Sequence, residues 1–241
     1  MKIKISILFL LVSVIAKAQT PAFKISIKHL TQNFYVCTSY GLPDGPTPFP
    51  ANSLFAVTDA GIVLVDTPWD ENQTQQLIDS VKQRFNKNIV LCISTHFHDD
   101  RTGGVAVLKK HGTKTYSTKL TQTLAKTKGL KVPEFTFKND TTFTVGGIKL
   151  QTYFPGPGHT ADNIVVWFPQ DKILVGGCLV KSMDTESKGY LADANVTEWP
   201  KSIRKVYAKF KQVNYLIPGH QGWQGGREQL THTIKVVSST Q

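Results

Sequence analysis

His96-Phe97-His98-Asp99-Asp100, just beyond the apolar run 88–93, sets two imidazoles and a carboxylate on alternate residues. In an extended or loop backbone that spacing sends all three side chains toward one side. Neutral imidazole and carboxylate are both good zinc donors, so the stretch predicts a metal site. A polar loop with two incidental histidines is the simpler alternative, and the rest of the chain counts against it.

Three further donors share the local context of that stretch. His159 lies in Pro155-Gly156-Pro157-Gly158-His159 after an apolar segment ending at Phe154. Cys178 follows Gly176-Gly177 after 172–175, and His220 ends Pro218-Gly219-His220 after 213–217. Each follows the C-terminal end of a strand-like run, and glycine at the preceding position predicts a sharp turn that faces the side chain inward. Six donors exceed the four that tetrahedral zinc takes from protein, so the count predicts two metals with an open position between them. His29, His111 and His232 lack this context and read as surface residues.

The chain has 241 residues, 40% of them hydrophobic, enough for one large domain or two fused halves. Residues 1–18 read as a secretory signal peptide. Lys2 and Lys4 precede the apolar run 5–15, and Ala16-Lys17-Ala18 is a small-x-small exit. That run is too short to span a bilayer, and no cysteine follows the cut to carry a lipid anchor. Residues 19–241 are then a single mature domain, exported to the periplasm of a Gram-negative bacterium. Removing the leader takes away three lysines and no acid, lowering the net charge from +11 to +8. No lysine–arginine run is interleaved with aromatics, which argues against nucleic acid as partner. Cys37 and Cys92 sit in apolar strand-like runs, as buried thiols or as a disulfide pair. Cys178 is a free thiol that metal ligation would explain.

Strands are expected at 22–27, 33–39, 53–58, 62–66 and 89–93, with hairpins over 141–154 and 163–175 and a last strand at 213–217. Leu77, Ile78, Val81 and Phe85 form one helical stripe. Gly103-Gly104 opens a second helix toward Lys110. Trp199 to Phe210, with Thr197 as N-cap and Pro200 in its first turn, forms a third, and Leu230, Ile234 and Val237 line a closing one. Two groups of strands, each with helices, predict an α/β fold in which two sheets pack face to face with helices outside. The Gly- and Pro-rich stretch 41–50 reads as a loop flanking the site.

The segments HFHDDRTGG (96–104), GPGHTADN (156–163), GGCLVKS (176–182) and PGH (218–220) resemble those of the metallo-β-lactamases, in the two-zinc subclass with a cysteine ligand. The resemblance covers essentially the whole mature chain. It implies an αββα sandwich of two mixed sheets with two Zn2+ at one edge. His96, His98 and His159 would hold the first zinc, and Asp100, Cys178 and His220 the second. Related thioesterases and lactonases carry HxHxDH, with a second-zinc histidine after the aspartate. Arg101 stands there instead. A guanidinium cannot ligate zinc, so Arg101 reads as a charge behind the ligands near the Cys178 thiolate. Asp66 is expected either to brace the ligand loop or to be a simple strand-end acid.

The implied activity is hydrolysis of the lactam amide of penicillins, cephalosporins and carbapenems by a zinc-bound hydroxide, giving antibiotic resistance. Zinc lowers the pKa of bound water to about 7, and Asp100 would orient the hydroxide. Lys181 matches the position that grips the substrate carboxylate. Two features depart from the family pattern: Tyr190 stands where many relatives have Asn, its phenol expected either to donate to the substrate or to leave the lactam carbonyl to zinc alone, and the 41–50 loop lacks a tryptophan-tipped hairpin. Trp69 is a candidate apolar wall. The alternatives are another hydrolase of the same fold and a non-catalytic zinc-binding protein. A monomer is expected.

Overall fold

A computed structural model describes residues 23–138 and 140–239; the signal peptide expected at 1–18 lies outside them. The seven-stranded first sheet contains β1 (Ser26–Thr31), β2 (Phe34–Gly41), β3 (Phe49–Thr58), β4 (Gly61–Val65), β5 (Ile89–Ile93), β6 (Lys114–Thr118) and β7 (Phe135–Phe137), in that order. Its pairs are antiparallel from β1 to β4 and parallel from β4 to β7. The second sheet has the order β12 (Tyr215–Pro218), β11 (Ile173–Gly177), β10 (Val165–Phe168), β9 (Ile148–Tyr153), β8 (Thr142–Val145). Only β11 and β12 are parallel there.

Side-chain alternation explains the layering. Val63 and Val65 of β4, and Leu91 and Ile93 of β5, face a core shared with Val166, Phe168, Ile173, Val175 and Ile217 of the other sheet. Their neighbours Ile62, Leu64, Ile89 and Cys92 face outward, against Leu77 and Val81 of helix α1 (Glu71–Phe85). On the far side Val165, Leu174 and Leu216 pack against Trp199, Ile203 and Val206 of α5 (Trp199–Lys209) and Leu230 and Val237 of α6 (Glu228–Ser238). Strands covered on both faces are continuously apolar, and that pattern makes the αββα sandwich of two mixed sheets.

Several boundaries differ from the sequence reading. The first strand begins at Ser26, not at residue 22, which lies outside the described residues. Gly41 pairs with Phe49, so strand pairing shortens the expected 41–50 loop at both ends. The N-cap of α5 is Glu198, not Thr197, and makes no side-chain cap hydrogen bond. Two strands and a helix between Lys110 and Thr141 had no sequence counterpart: β6, β7 and α4 (Lys119–Thr127). β6 buries Thr115, Ser117 and Thr118 in place of apolar residues, which removes the alternation signal. Cys37 and Cys92 are free buried thiols.

Strands β9, β11 and β12 point the same way, so their C-terminal ends share one edge of the sandwich. The loop after β5 meets that edge, where the Ile164 N–H donates to the Thr95 carbonyl at 3.0 Å. That loop forms a short helix α2 (Asp99–Thr102) before α3 (Val105–Lys110). At their junction Gly103 lies flush on backbone, where a Cβ would meet the carbonyl oxygens of Trp69 and Asp99. Gly103→Ala is therefore expected to destabilise the fold by about 1–3 kcal/mol through overpacking, measured by urea unfolding; an unchanged midpoint would contradict the packing described.

Candidate metal centre

The four loops bring the predicted donors together. Nε2 of His96 and Nε2 of His159 each lie 3.2 Å from Nδ1 of His98. A second group surrounds Asp100 Oδ2, which is 3.3 Å from Cys178 Sγ and 3.2 Å from His220 Nε2; the sulfur lies 3.1 Å from the same nitrogen. Asp100 Oδ1, 4.0 Å from His96 Nε2, faces the first group. One carboxylate thus spans both clusters.

The glycines before the ligands act in two ways. Gly177 has φ +54, the left-handed region. Gly158 and Gly219 do not, so the expected sharp turn is not their role. A Cβ on Gly219 would stand 2.6 Å from Cys178 Sγ, and one on Gly158 would stand 3.0 Å from the Trp199 ring. Close approach, not backbone angle, requires glycine at these two positions.

Burial sets the protonation states. It holds His96, His159 and His220 below the usual imidazole range, leaving them neutral with a lone pair to offer. Burial opposes the Asp100 charge, but Arg101, His220 and His96 outweigh it and hold the carboxyl well below its ordinary range. Burial also pushes the Cys178 thiol well up, with Arg101 opposing. Ring orientation is fixed from behind. His220 Nδ1 donates to the Pro50 carbonyl at 2.8 Å and His98 Nε2 to Asp193 Oδ2 at 3.0 Å, so the opposite nitrogen of each faces the cluster.

Arg101 is fully buried, and each of its three guanidinium nitrogens donates a hydrogen bond. Nε and Nη2 reach Asp100 Oδ2 at 3.0 and 2.9 Å, and Nη2 also donates to the Gly219 carbonyl at 2.7 Å. Nη1 donates to the Asn52 carbonyl at 2.6 Å and to Asp66 Oδ2 at 3.3 Å. Its direct partners are carboxylates and carbonyls, and Cys178 feels its charge across Asp100. Asp66, in a left-handed conformation with φ 64, accepts from Thr95 N–H at 2.7 Å and Thr95 Oγ1 at 3.0 Å. Burial pushes its carboxyl up to about 6, with Arg101 and Thr95 opposing.

A cleft of about 190 Å3 opens beside the second group, lined by Cys178, His220, Phe49, Lys181, Ser187 and Gly189 among others. Lys181 Nζ lies 5.1 Å from the Trp199 ring centroid, and burial lowers its pKa. Tyr190 and Trp69 do not line this cleft. Tyr190 is 58% exposed and meets the His98 ring edge-on at 5.6 Å. Trp69 is half-buried, 6.0 Å from the His220 ring.

Of the remaining histidines, His29 and His111 are exposed. His232 is half-buried and donates to the Thr185 carbonyl at 2.7 Å, so it is not a plain surface residue. Sequence reasoning missed Asp193, which stands in an irregular loop with no motif around it. It also missed Asn52, which lies just outside the strand expected at 53–58 and is buried within β3.

The sequence model of the metallo-beta-lactamase superfamily matches residues 46–220. The chain belongs to that superfamily. It is 40% identical over 223 residues to a metallo-beta-lactamase type 2 of Elizabethkingia meningoseptica, covering 92% of this chain and 88% of that protein. It is 44% identical over 213 residues to one of Bacillus cereus, covering 88% and 82%. The solved structure of a metallo-beta-lactamase from Pontibacter korlensis superposes with a TM-score of 0.86 at 36% identity, covering 90% of this chain and all of that one.

Zinc is the metal this family implies, and the donors fit it. Nitrogens around one tetrahedral zinc, each about 2.0–2.1 Å from the ion, stand roughly 3.3 Å apart; those of His96 and His159 each stand 3.2 Å from that of His98. The second group pairs a thiol with imidazole and carboxylate, also a zinc-type set.

Arg101→Ala would leave Asp66 and Asp100 buried without their cation. We expect a loss of about 3–5 kcal/mol in the zinc-free protein, read by urea unfolding. A loss below about 1 kcal/mol would contradict the buried network.

Proposed function

We propose that this chain hydrolyses the amide bond of β-lactams, taking penicillins, cephalosporins and carbapenems, and thereby confers resistance to them. The observation that carries this reading is the meeting of two donor triads at Asp100, beside a cleft lined by Lys181. The printed names of the relatives at 40% and 44% identity agree with it.

Two zinc ions are assigned, one to His96, His98 and His159 and one to Asp100, Cys178 and His220. When bound, zinc supplies water acidified to a pKa of about 7 and a Lewis acid for the lactam carbonyl. Asp100, held as a carboxylate and facing both groups, accepts a hydrogen bond from the attacking water and fixes its direction. Lys181 receives the substrate carboxylate as a compact charge. Its position in the cleft with Cys178 and His220 sets the lactam amide against both donor groups. Tyr190, whose ring meets His98, is assigned to the substrate through its phenol, and Trp69, near His220, as an apolar wall. Arg101 and Asp66 hold the ligand loops in register. The leader at 1–18 would deliver a monomeric enzyme to the periplasm of a Gram-negative bacterium, where these substrates arrive.

Zinc-loaded protein is expected to turn over a penicillin, a cephalosporin and a carbapenem, and to lose that activity on chelation. His159→Ala combined with Cys178→Ser should cost about 100-fold or more in kcat/KM, or roughly 3 kcal/mol of transition-state stabilisation. Full zinc occupancy without lactam turnover would point to another substrate, and activity retained in the double variant would overturn the site. Lys181→Ala is expected to lower kcat/KM by about 10- to 100-fold, chiefly through KM, as for a lost charge-assisted hydrogen bond. An unchanged KM would remove Lys181 from the binding role.

A further inference from the structure

Residues 178–198, between β11 and α5, run without regular secondary structure and carry Cys178, Lys181 and Tyr190. One short piece of this long loop touches one clustered histidine and the residue that precedes another. Asp193 Oδ2 accepts from His98 Nε2 at 3.0 Å. Two residues on, the Asn195 N–H donates to the carbonyl of Gly158, the residue before His159, at 2.8 Å. The other carboxylate oxygen, Asp193 Oδ1, accepts from Lys128 Nζ at 3.2 Å. Lys128 is the C-cap residue of α4, and its side chain is 51% exposed. It touches no clustered donor.

We propose that Asp193 and Lys128 form a positioning clamp, in which Lys128 seats the Asp193 carboxylate, Asp193 fixes the His98 ring, and the 178–198 loop is thereby locked over the histidine group. The inference rests on the reading that His96, His98 and His159 hold zinc. Imidazole has two inequivalent nitrogens, and a fixed acceptor at Nε2 keeps Nδ1 free for the metal. A lone carboxylate could rotate about its side-chain torsions. With its second oxygen held by Lys128, the acceptor has one position. The same contact keeps the segment bearing Lys181 and Tyr190 close to the site, so a surface lysine on α4 acts on both metal affinity and loop placement. An ordinary exposed ion pair would do neither.

Cobalt(II) titration of zinc-free protein tests this, because thiolate charge-transfer absorption reports the Cys178 group and visible ligand-field bands alone report the histidine group. Zinc competition on the same samples then gives the affinities. Asp193→Ala is expected to weaken the histidine group about 10- to 100-fold, the usual effect of losing a hydrogen-bond partner behind a metal ligand. Lys128→Ala should weaken it several-fold, roughly 3- to 10-fold, with Lys128→Arg restoring it and the neighbouring Lys126→Ala leaving it unchanged. Melting temperatures of zinc-free Lys128→Ala and wild type should agree within about 2 °C, which separates positioning from general stability. Wild-type affinity in Lys128→Ala, or equal loss in Lys126→Ala, would overturn the clamp while leaving the zinc reading intact. Absence of ligand-field bands in the wild type would overturn both.

Discussion

The guanidinium of Arg101 is the interaction on which the site depends. It is buried where neither sheet alone could neutralise or satisfy it, and its four hydrogen bonds reach segments from both. Asn52 belongs to β3, Asp66 follows β4, Asp100 belongs to α2, and Gly219 follows β12 in the opposite sheet. Asn52 closes the circuit: its backbone N–H donates to Gly219, and its side-chain amide donates to Pro218 and Gln221. A buried cation of this kind is costly unless every partner is in place. The arrangement therefore admits one relative placement of the loops, and that placement brings Asp100, Cys178 and His220 together.

The same network divides labour between charge and neutrality. Arg101 keeps Asp100 ionised, whereas burial keeps three imidazoles neutral and the Cys178 thiol protonated in the metal-free chain. On the proposed assignment, zinc held by Cys178 would require the thiolate, so binding would release a proton. Metal affinity and fold stability are coupled through these residues, since the loops that carry the donors are the loops that Arg101 joins.

Much of this was legible in the sequence because it rests on local pattern. Continuous apolar runs in β4, β5 and β11 announce strands covered on both faces, and donors placed just after strand ends announce a shared edge. The Arg101–Asp100 contact could be anticipated because a guanidinium stands directly after the carboxylate and cannot itself ligate a metal. The other partners of Arg101 were less readable, since two of the three are backbone carbonyls, which leave no trace in residue identity. β6 and α4 were missed because buried Thr and Ser satisfy their hydroxyls locally, as when Thr118 caps α4, and so mimic a polar loop. Asp193 lies 95 residues from His98 in sequence, and only the folded loop joins them.

The central claim is that six side chains form two separate three-ligand groups bridged by Asp100. Anomalous diffraction at the zinc absorption edge from crystals of zinc-loaded protein tests it most directly. Two peaks are predicted, one among His96, His98 and His159 and the other among Asp100, Cys178 and His220. A single peak drawing ligands from both groups, or any peak away from these six residues with none among them, would contradict the account.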